Sequence, residues 1–72
     1  TNIGRIDFVI KLPTLVYIFE CKIQGSVHQA LNQIEEKKYA QKYELSNKKI
    51  IGVGILFDTK NRNIQEWIVK EL

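Results

Sequence analysis

From residue 5 to residue 11 the chain reads R-I-D-F-V-I-K, with Ile6, Phe8 and Ile10 alternating against Arg5, Asp7, Val9 and Lys11. That two-residue period predicts a strand with two unlike faces. Leu12, Pro13 and Thr14 interrupt it. Pro13 has no N–H to give to a ladder and suits a turn, so the chain reverses there into a second run, L-V-Y-I-F-E-C-K-I, over residues 15–23. This run is apolar on both faces, as in a central strand. The two runs are expected to form an antiparallel hairpin.

Gly25 ends the second strand, and Ser26 with Gln29 forms the S-x-x-Q capping box of a helix start. The predicted helix covers residues 27–43. Its apolar stripe is Val27, Ala30, Leu31 and Ile34, and it fades into Glu35, Glu36, Lys37 and Lys38. Tyr39 and Tyr43 lie on another face. Ser46 and Asn47 mark a loop, K-I-I-G-V-G-I-L-F over residues 49–57 is a further two-faced strand, and residues 58–63 are a polar turn. I-Q-E-W-I-V-K-E-L then alternates more weakly as a last strand.

The predicted fold is therefore α/β, a mixed β-sheet in the order β-β-α-β-β. A strand–helix–strand passage makes the second and third strands parallel through a right-handed crossover. One helix covers one face of such a sheet, so the other face calls for a partner chain or a further segment.

Composition agrees with a single domain, and with part of one. The chain has 72 residues, 44% hydrophobic and 26% charged, too apolar for a disordered tail and short for an independent core. One cysteine cannot form an internal disulfide, and no Cys/His set has zinc-site spacing. The start at Thr1 and the lack of methionine suggest an excised piece, supported by a homodimer or by the missing remainder. There is no signal-peptide pattern and no apolar run near the roughly 18 residues of a membrane span. A cytoplasmic, reduced protein without a membrane partner is the expectation. The net charge of +3 favours an anionic partner.

The chemistry lies in the hairpin. Glu20 and Lys22 stand two apart on a strand and so share a face, inside an apolar run where charges need a reason. A hairpin turning at Pro13 and Thr14 sets Asp7 directly opposite Glu20, with Cβ atoms about 5 Å apart. Carboxylates that close repel unless a proton or a cation sits between them. Two hard oxygen ligands suit Mg²⁺, and the backbone carbonyl of Cys21 offers another oxygen. Lys22 would orient a water or balance charge on a phosphoryl oxygen, so the set fits metal-assisted hydrolysis of a phosphodiester.

At these residues the chain resembles a known family. D-x12-E-x-K on adjacent strands, followed by a helix and a strand, is similar to the PD-(D/E)xK nuclease superfamily. The phrases G-R-I-D-F-V-I, V-Y-I-F-E-C-K and A-L-N-Q-I-E-E-K-K-Y-A-Q-K-Y resemble the nuclease-like domain at the C-terminus of bacterial and archaeal proteins with an AAA-ATPase-like domain. The resemblance runs from Gly4 to Leu72. It implies a restriction-endonuclease-like core, Asp7 and Glu20 as ligands of Mg²⁺ or Mn²⁺, Lys22 as the catalytic lysine, and Gln33 as a helix residue of the catalytic set, with Lys37 one turn on. It implies a nucleic acid, DNA first, as substrate, and an AAA-ATPase-like domain in the parent chain. Ile6 stands where the family name has proline, and Lys37, not tyrosine, follows Gln33 at the spacing of Q-x-x-x-Y. The family's first helix and strand are missing here; they would cover the bare sheet face.

Other features have plainer readings. Lys37, Lys38 and Lys42, with Lys48 and Lys49, are candidates for a phosphate-attracting patch or an ordinary solvated face. Tyr39 and Tyr43 suit packing against a neighbour better than base stacking. Cys21 reads as a small core residue facing away from Glu20, and His28 as a surface residue. Gly52 and Gly54 let a helix approach the sheet, and Asp58 belongs to a hairpin turn. Trp67 reads as core or as a contact with absent residues. Two rivals to the nuclease remain: a non-catalytic module keeping the fold to bind DNA or an ATPase-like partner, and a structural dimerisation domain.

Overall fold

A computed structural model of the chain describes residues 5–36 and 47–72, and for residues 5–7 its description is of the backbone. The element order is β1 (Arg5–Lys11), β2 (Leu15–Lys22), α1 (Val27–Glu36), β3 (Lys49–Asp58) and β4 (Asn63–Glu71). The strands form one sheet in the order β1-β2-β3-β4. β1 and β2 are antiparallel, β2 and β3 parallel, β3 and β4 antiparallel. This is the mixed β-β-α-β-β sheet that the pattern predicts. The expected helix beyond Glu36, with Lys37, Lys38, Tyr39, Lys42 and Tyr43, lies outside the described residues.

Local chemistry sets the element ends. The Leu12 N–H donates to the Leu15 carbonyl at 2.7 Å, closing the turn around Pro13 and Thr14. Gly25 has a φ of 104°, open to glycine and strained for other residues. The helix then starts on a reciprocal capping box: the Gln29 N–H donates to Ser26 Oγ at 3.1 Å, and the Ser26 N–H to Gln29 Oε1 at 3.0 Å.

α1 buries Val27, Ala30, Leu31 and Ile34, the stripe read from the sequence. Leu31 and Ile34 meet Val16 and Ile18 of β2 and Ile50 of β3 in the core. Each fully buried aliphatic chain of this size contributes about 1.5–3 kcal/mol. The helix lies very close to β3 because Gly52 and Gly54 have no side chains. A Cβ at Gly54 would come within 2.6 Å of the Val27 carbonyl oxygen and 3.2 Å of Ala30 Cβ; one at Gly52 would come within 3.1 Å of Leu31 Cδ1.

The opposite face is uncovered among the described residues. Phe8 and Phe19, cross-strand neighbours there, stack with centroids 4.4 Å apart and planes 8° from parallel. On the same face, two strands away from Phe19, Trp67 of β4 is 64% exposed. Trp67 is thus not a core residue; its strand is an outer one, and it pairs with Ile55 on the side away from α1.

Candidate metal and phosphodiester site

Glu20 is the residue around which the site is built. The antiparallel register pairs Asp7 with Glu20, and Arg5 with Lys22. Residues paired in this way occupy the same face of a sheet, so the positions of Asp7, Glu20 and Lys22 share one face. It is the face under the helix, for Glu20 alternates with the buried Val16 and Ile18.

On its other side Glu20 pairs with Gly54. Gly54 is the point where the first turn of α1 touches the sheet, through Val27 and Ala30. The helix N-terminus, with its partial positive charge, therefore lies over the strand next to Glu20. Glu20 itself has no solvent exposure. A carboxylate there is costly unless a proton, a cation or hydrogen-bond donors compensate it, and a charge kept in such a place marks a candidate functional position.

Over residues 1–67 the chain matches the PD-(D/E)XK nuclease superfamily. It belongs to that superfamily. The D-x12-E-x-K spacing of Asp7, Glu20 and Lys22 sits on the paired strands β1 and β2. The chain is also 34% identical, over 74 aligned positions, to a protein of Azotobacter chroococcum mcd 1 named "Uncharacterized protein in vnfD 5'region". That alignment takes in all of this chain and 14% of the relative, so the chain spans about a seventh of the curated relative's length. No solved structure matches it.

The remaining candidates are placed unevenly. Lys22 is half-buried at the end of β2, on the Glu20 face. Gln33 projects from α1 with its Oε1 atom buried and, among the described residues, without a hydrogen-bond partner. A buried acceptor of this kind is one that a water, a cation or a substrate donor would satisfy. Lys37, Lys38 and Lys42 lie outside the described residues.

Cys21 pairs with Ile6 on one side and Ile55 on the other, on the face away from Glu20. Burial, and then the nearby Glu20 charge, push its thiol above the ordinary cysteine value. The thiol is therefore protonated at neutral pH, and the residue's value to a site is confined to its backbone oxygen.

Two lysines of the expected patch are elsewhere. Lys49 pairs with Leu15 at the start of β2, the opposite end of the sheet from Lys22, and its Nζ lies 3.8 Å from Glu71. Lys48 precedes it there. The parallel crossover puts the start of β3 beside the start of β2, so these lysines are separated from Glu20 by the length of the strand.

Among the described residues no group of three or more His, Cys, Asp and Glu side chains gathers into a metal centre. The donor set is smaller: two carboxylate positions paired across strands, with a backbone carbonyl next to them. It fits a hard divalent ion that takes one or two carboxylates and fills its other positions with water, and it does not fit zinc. No helix among the described residues is long and apolar enough to cross a membrane.

Proposed function

We propose that this chain is a divalent-metal-dependent nuclease domain that hydrolyses phosphodiester bonds of nucleic acid, DNA first. The observation that carries the reading is the pairing of Asp7 with a fully buried Glu20, with Lys22 on the same face. Membership of the PD-(D/E)XK superfamily supports it.

Asp7 and Glu20 would hold Mg²⁺ or Mn²⁺, with the Cys21 carbonyl as a further oxygen. When bound, such an ion supplies Lewis acidity and makes a water more acidic. The chain's own residues do the rest. Glu20, in a site closed to solvent, would meet a cation where the dielectric is low and the attraction between the two is strong. Lys22 places an ammonium beside the phosphate, where it stabilises negative charge growing on a phosphoryl oxygen as water attacks phosphorus and the sugar oxygen leaves. Gln33 offers a buried oxygen that would orient the water by accepting its proton in a hydrogen bond. Lys37, Lys38 and Lys42 would hold the backbone, and an AAA-ATPase-like domain in the parent chain would present the substrate.

Metal titration followed by NMR tests the site without depending on turnover. Millimolar Mg²⁺ or Mn²⁺ is expected to move the Asp7 and Glu20 resonances, and Glu20→Gln to remove the effect; unmoved resonances reject the metal site. Cleavage belongs to the full-length protein, where equal cutting by wild type and Lys22→Ala would reject the lysine's role.

The second reading draws on the uncovered face, where Phe8, Ile10, Ile64, Trp67 and Val69 are exposed. A non-catalytic or dimerising module would use that face and leave Glu20 idle. DNA association that survives Glu20→Gln with no cleavage by wild type favours the module. Dissociation of a dimer by Trp67→Lys favours the structural role.

A further inference from the structure

The sheet end that carries Glu20 and Lys22 also carries the β3–β4 turn, and the basic side chains of that turn make no hydrogen bond that builds it. Asp58 closes β3, paired with Asn63. Its carboxylate accepts hydrogen bonds from the Lys60 N–H at 2.9 Å, the Asn61 N–H at 3.3 Å and Asn61 Nδ2 at 2.8 Å. Asp58 and Asn61 thus shape the turn with an acid, a side-chain amide and backbone groups. The side chains of Lys60 and Arg62 are exposed. Arg62 adopts a φ of 53°, in the left-handed region where glycine or asparagine is the ordinary choice. Local conformation does not account for an arginine there.

Two other lysines of the sheet are paired with acids. Lys70 Nζ lies 2.8 Å from Glu35, and Lys49 Nζ 3.8 Å from Glu71, both away from the Glu20 end. Among the described residues no carboxylate forms an ion pair with Lys60 or Arg62. Two uncompensated cations therefore stand on a turn held in shape by Asp58, past the same end of the sheet as Lys22.

We infer that Lys60 and Arg62 grip the phosphate backbone of the nucleic acid to one side of the bond presented to Glu20 and Lys22, an inference that rests on the nuclease reading. Distance along the strand sets where. Gly54 pairs with Glu20, and Asp58 is four residues further on, which at about 3.3 Å per residue is roughly 13 Å, the axial rise of about four nucleotides. Arginine's planar fork matches two phosphate oxygens, and lysine adds a point charge. The grip of the turn positions the strand and carries no base preference.

The test is a salt titration of duplex DNA binding by the full-length protein without divalent cation, so that nothing is cut. The variant is Lys60→Gln with Arg62→Asn, because asparagine suits the left-handed position and keeps the turn. Affinity is expected to fall about tenfold or more, and the slope of log K against log salt to become shallower by about 1.8, or 0.9 for each phosphate that is no longer neutralised. An unchanged melting temperature shows that the fold is kept. Lys48→Gln, at the far end, is expected to leave the slope as it is. A double variant that binds with wild-type affinity and slope, in a protein that cuts DNA, overturns the inference and leaves the nuclease reading standing. An equal loss from Lys48→Gln also overturns it, since any surface charge would then serve. A wild type that neither binds nor cuts DNA removes both.

Discussion

Glu20 and Gly54 stand side by side in the parallel pairing of β2 and β3, and the missing side chain of one makes the burial of the other possible. Without a Cβ at Gly54, the first turn of α1 settles onto the sheet, and the Glu20 carboxylate is closed off from solvent beneath it. Gly54→Ala would push a methyl group to 2.6 Å from the Val27 carbonyl oxygen, a backbone atom that moves only with the helix. A loss of about 1–3 kcal/mol is expected. A urea denaturation midpoint measures it, and a variant as stable as wild type would mean that the helix rides higher on the sheet.

Glu20→Gln separates function from stability. The substitution keeps the shape of a buried side chain and removes its charge, and burying a neutral amide is less costly than burying an ion. The variant is expected to melt at or above the wild-type temperature while metal-dependent cleavage falls at least about 100-fold, the scale of losing one preorganised electrostatic group. Calorimetry and a DNA-nicking assay read the two quantities. Retained cleavage would remove Glu20 from the site.

Ser26→Ala should weaken the helix start. Its Oγ accepts the Gln29 N–H, and the alanine leaves that donor without its cap. About 1 kcal/mol is the expected loss, read from the denaturant midpoint. Ser26→Asp, which caps as well, should restore it; two variants of equal stability would mean that the cap contributes nothing.

Asp58 gives the turn a pH dependence. Hydrogen bonds from the Asn61 side chain, then from the Asn61 and Lys60 backbone, hold its carboxyl below the usual carboxylate value. A depressed folded-state pKa means that the unfolded chain takes up the proton first. The contribution is therefore complete above the unfolded value, about 3.9, and fades as pH falls below it through the folded value. Asp58→Asn should remove that part of the acid dependence, so that wild type and variant converge in stability as the pH is lowered from 6 to 2, values chosen to span the roughly pH 4 transition. Parallel curves would contradict it.

Much of this fold was legible because its signals are local. Ser26 and Gln29 are three residues apart and cap one another through atoms that a helix start brings together by itself. Pro13 and Thr14 fix the hairpin, and a hairpin's register follows from its turn, so the pairing of Asp7 with Glu20 was readable from the turn alone. The helix stripe was equally plain. Of the two readings of Trp67, as core or as a contact with absent residues, the core reading fails for the opposite reason. A large aromatic in an alternating strand looks like core, and only the position of β4 at the sheet margin, on the side away from α1, leaves it in solvent.

The amino-acid order by itself determined the elements, the hairpin register and the presence of two acids and an amine on one strand pair, because each depends on neighbours a few residues apart. Tertiary structure alone decided which face α1 covers, how deeply Glu20 is buried beneath it, and that Trp67 stands in solvent. Those outcomes depend on the crossover that sets Gly54 of β3 beside Glu20 of β2, a pairing of distant segments that no short stretch of the chain encodes.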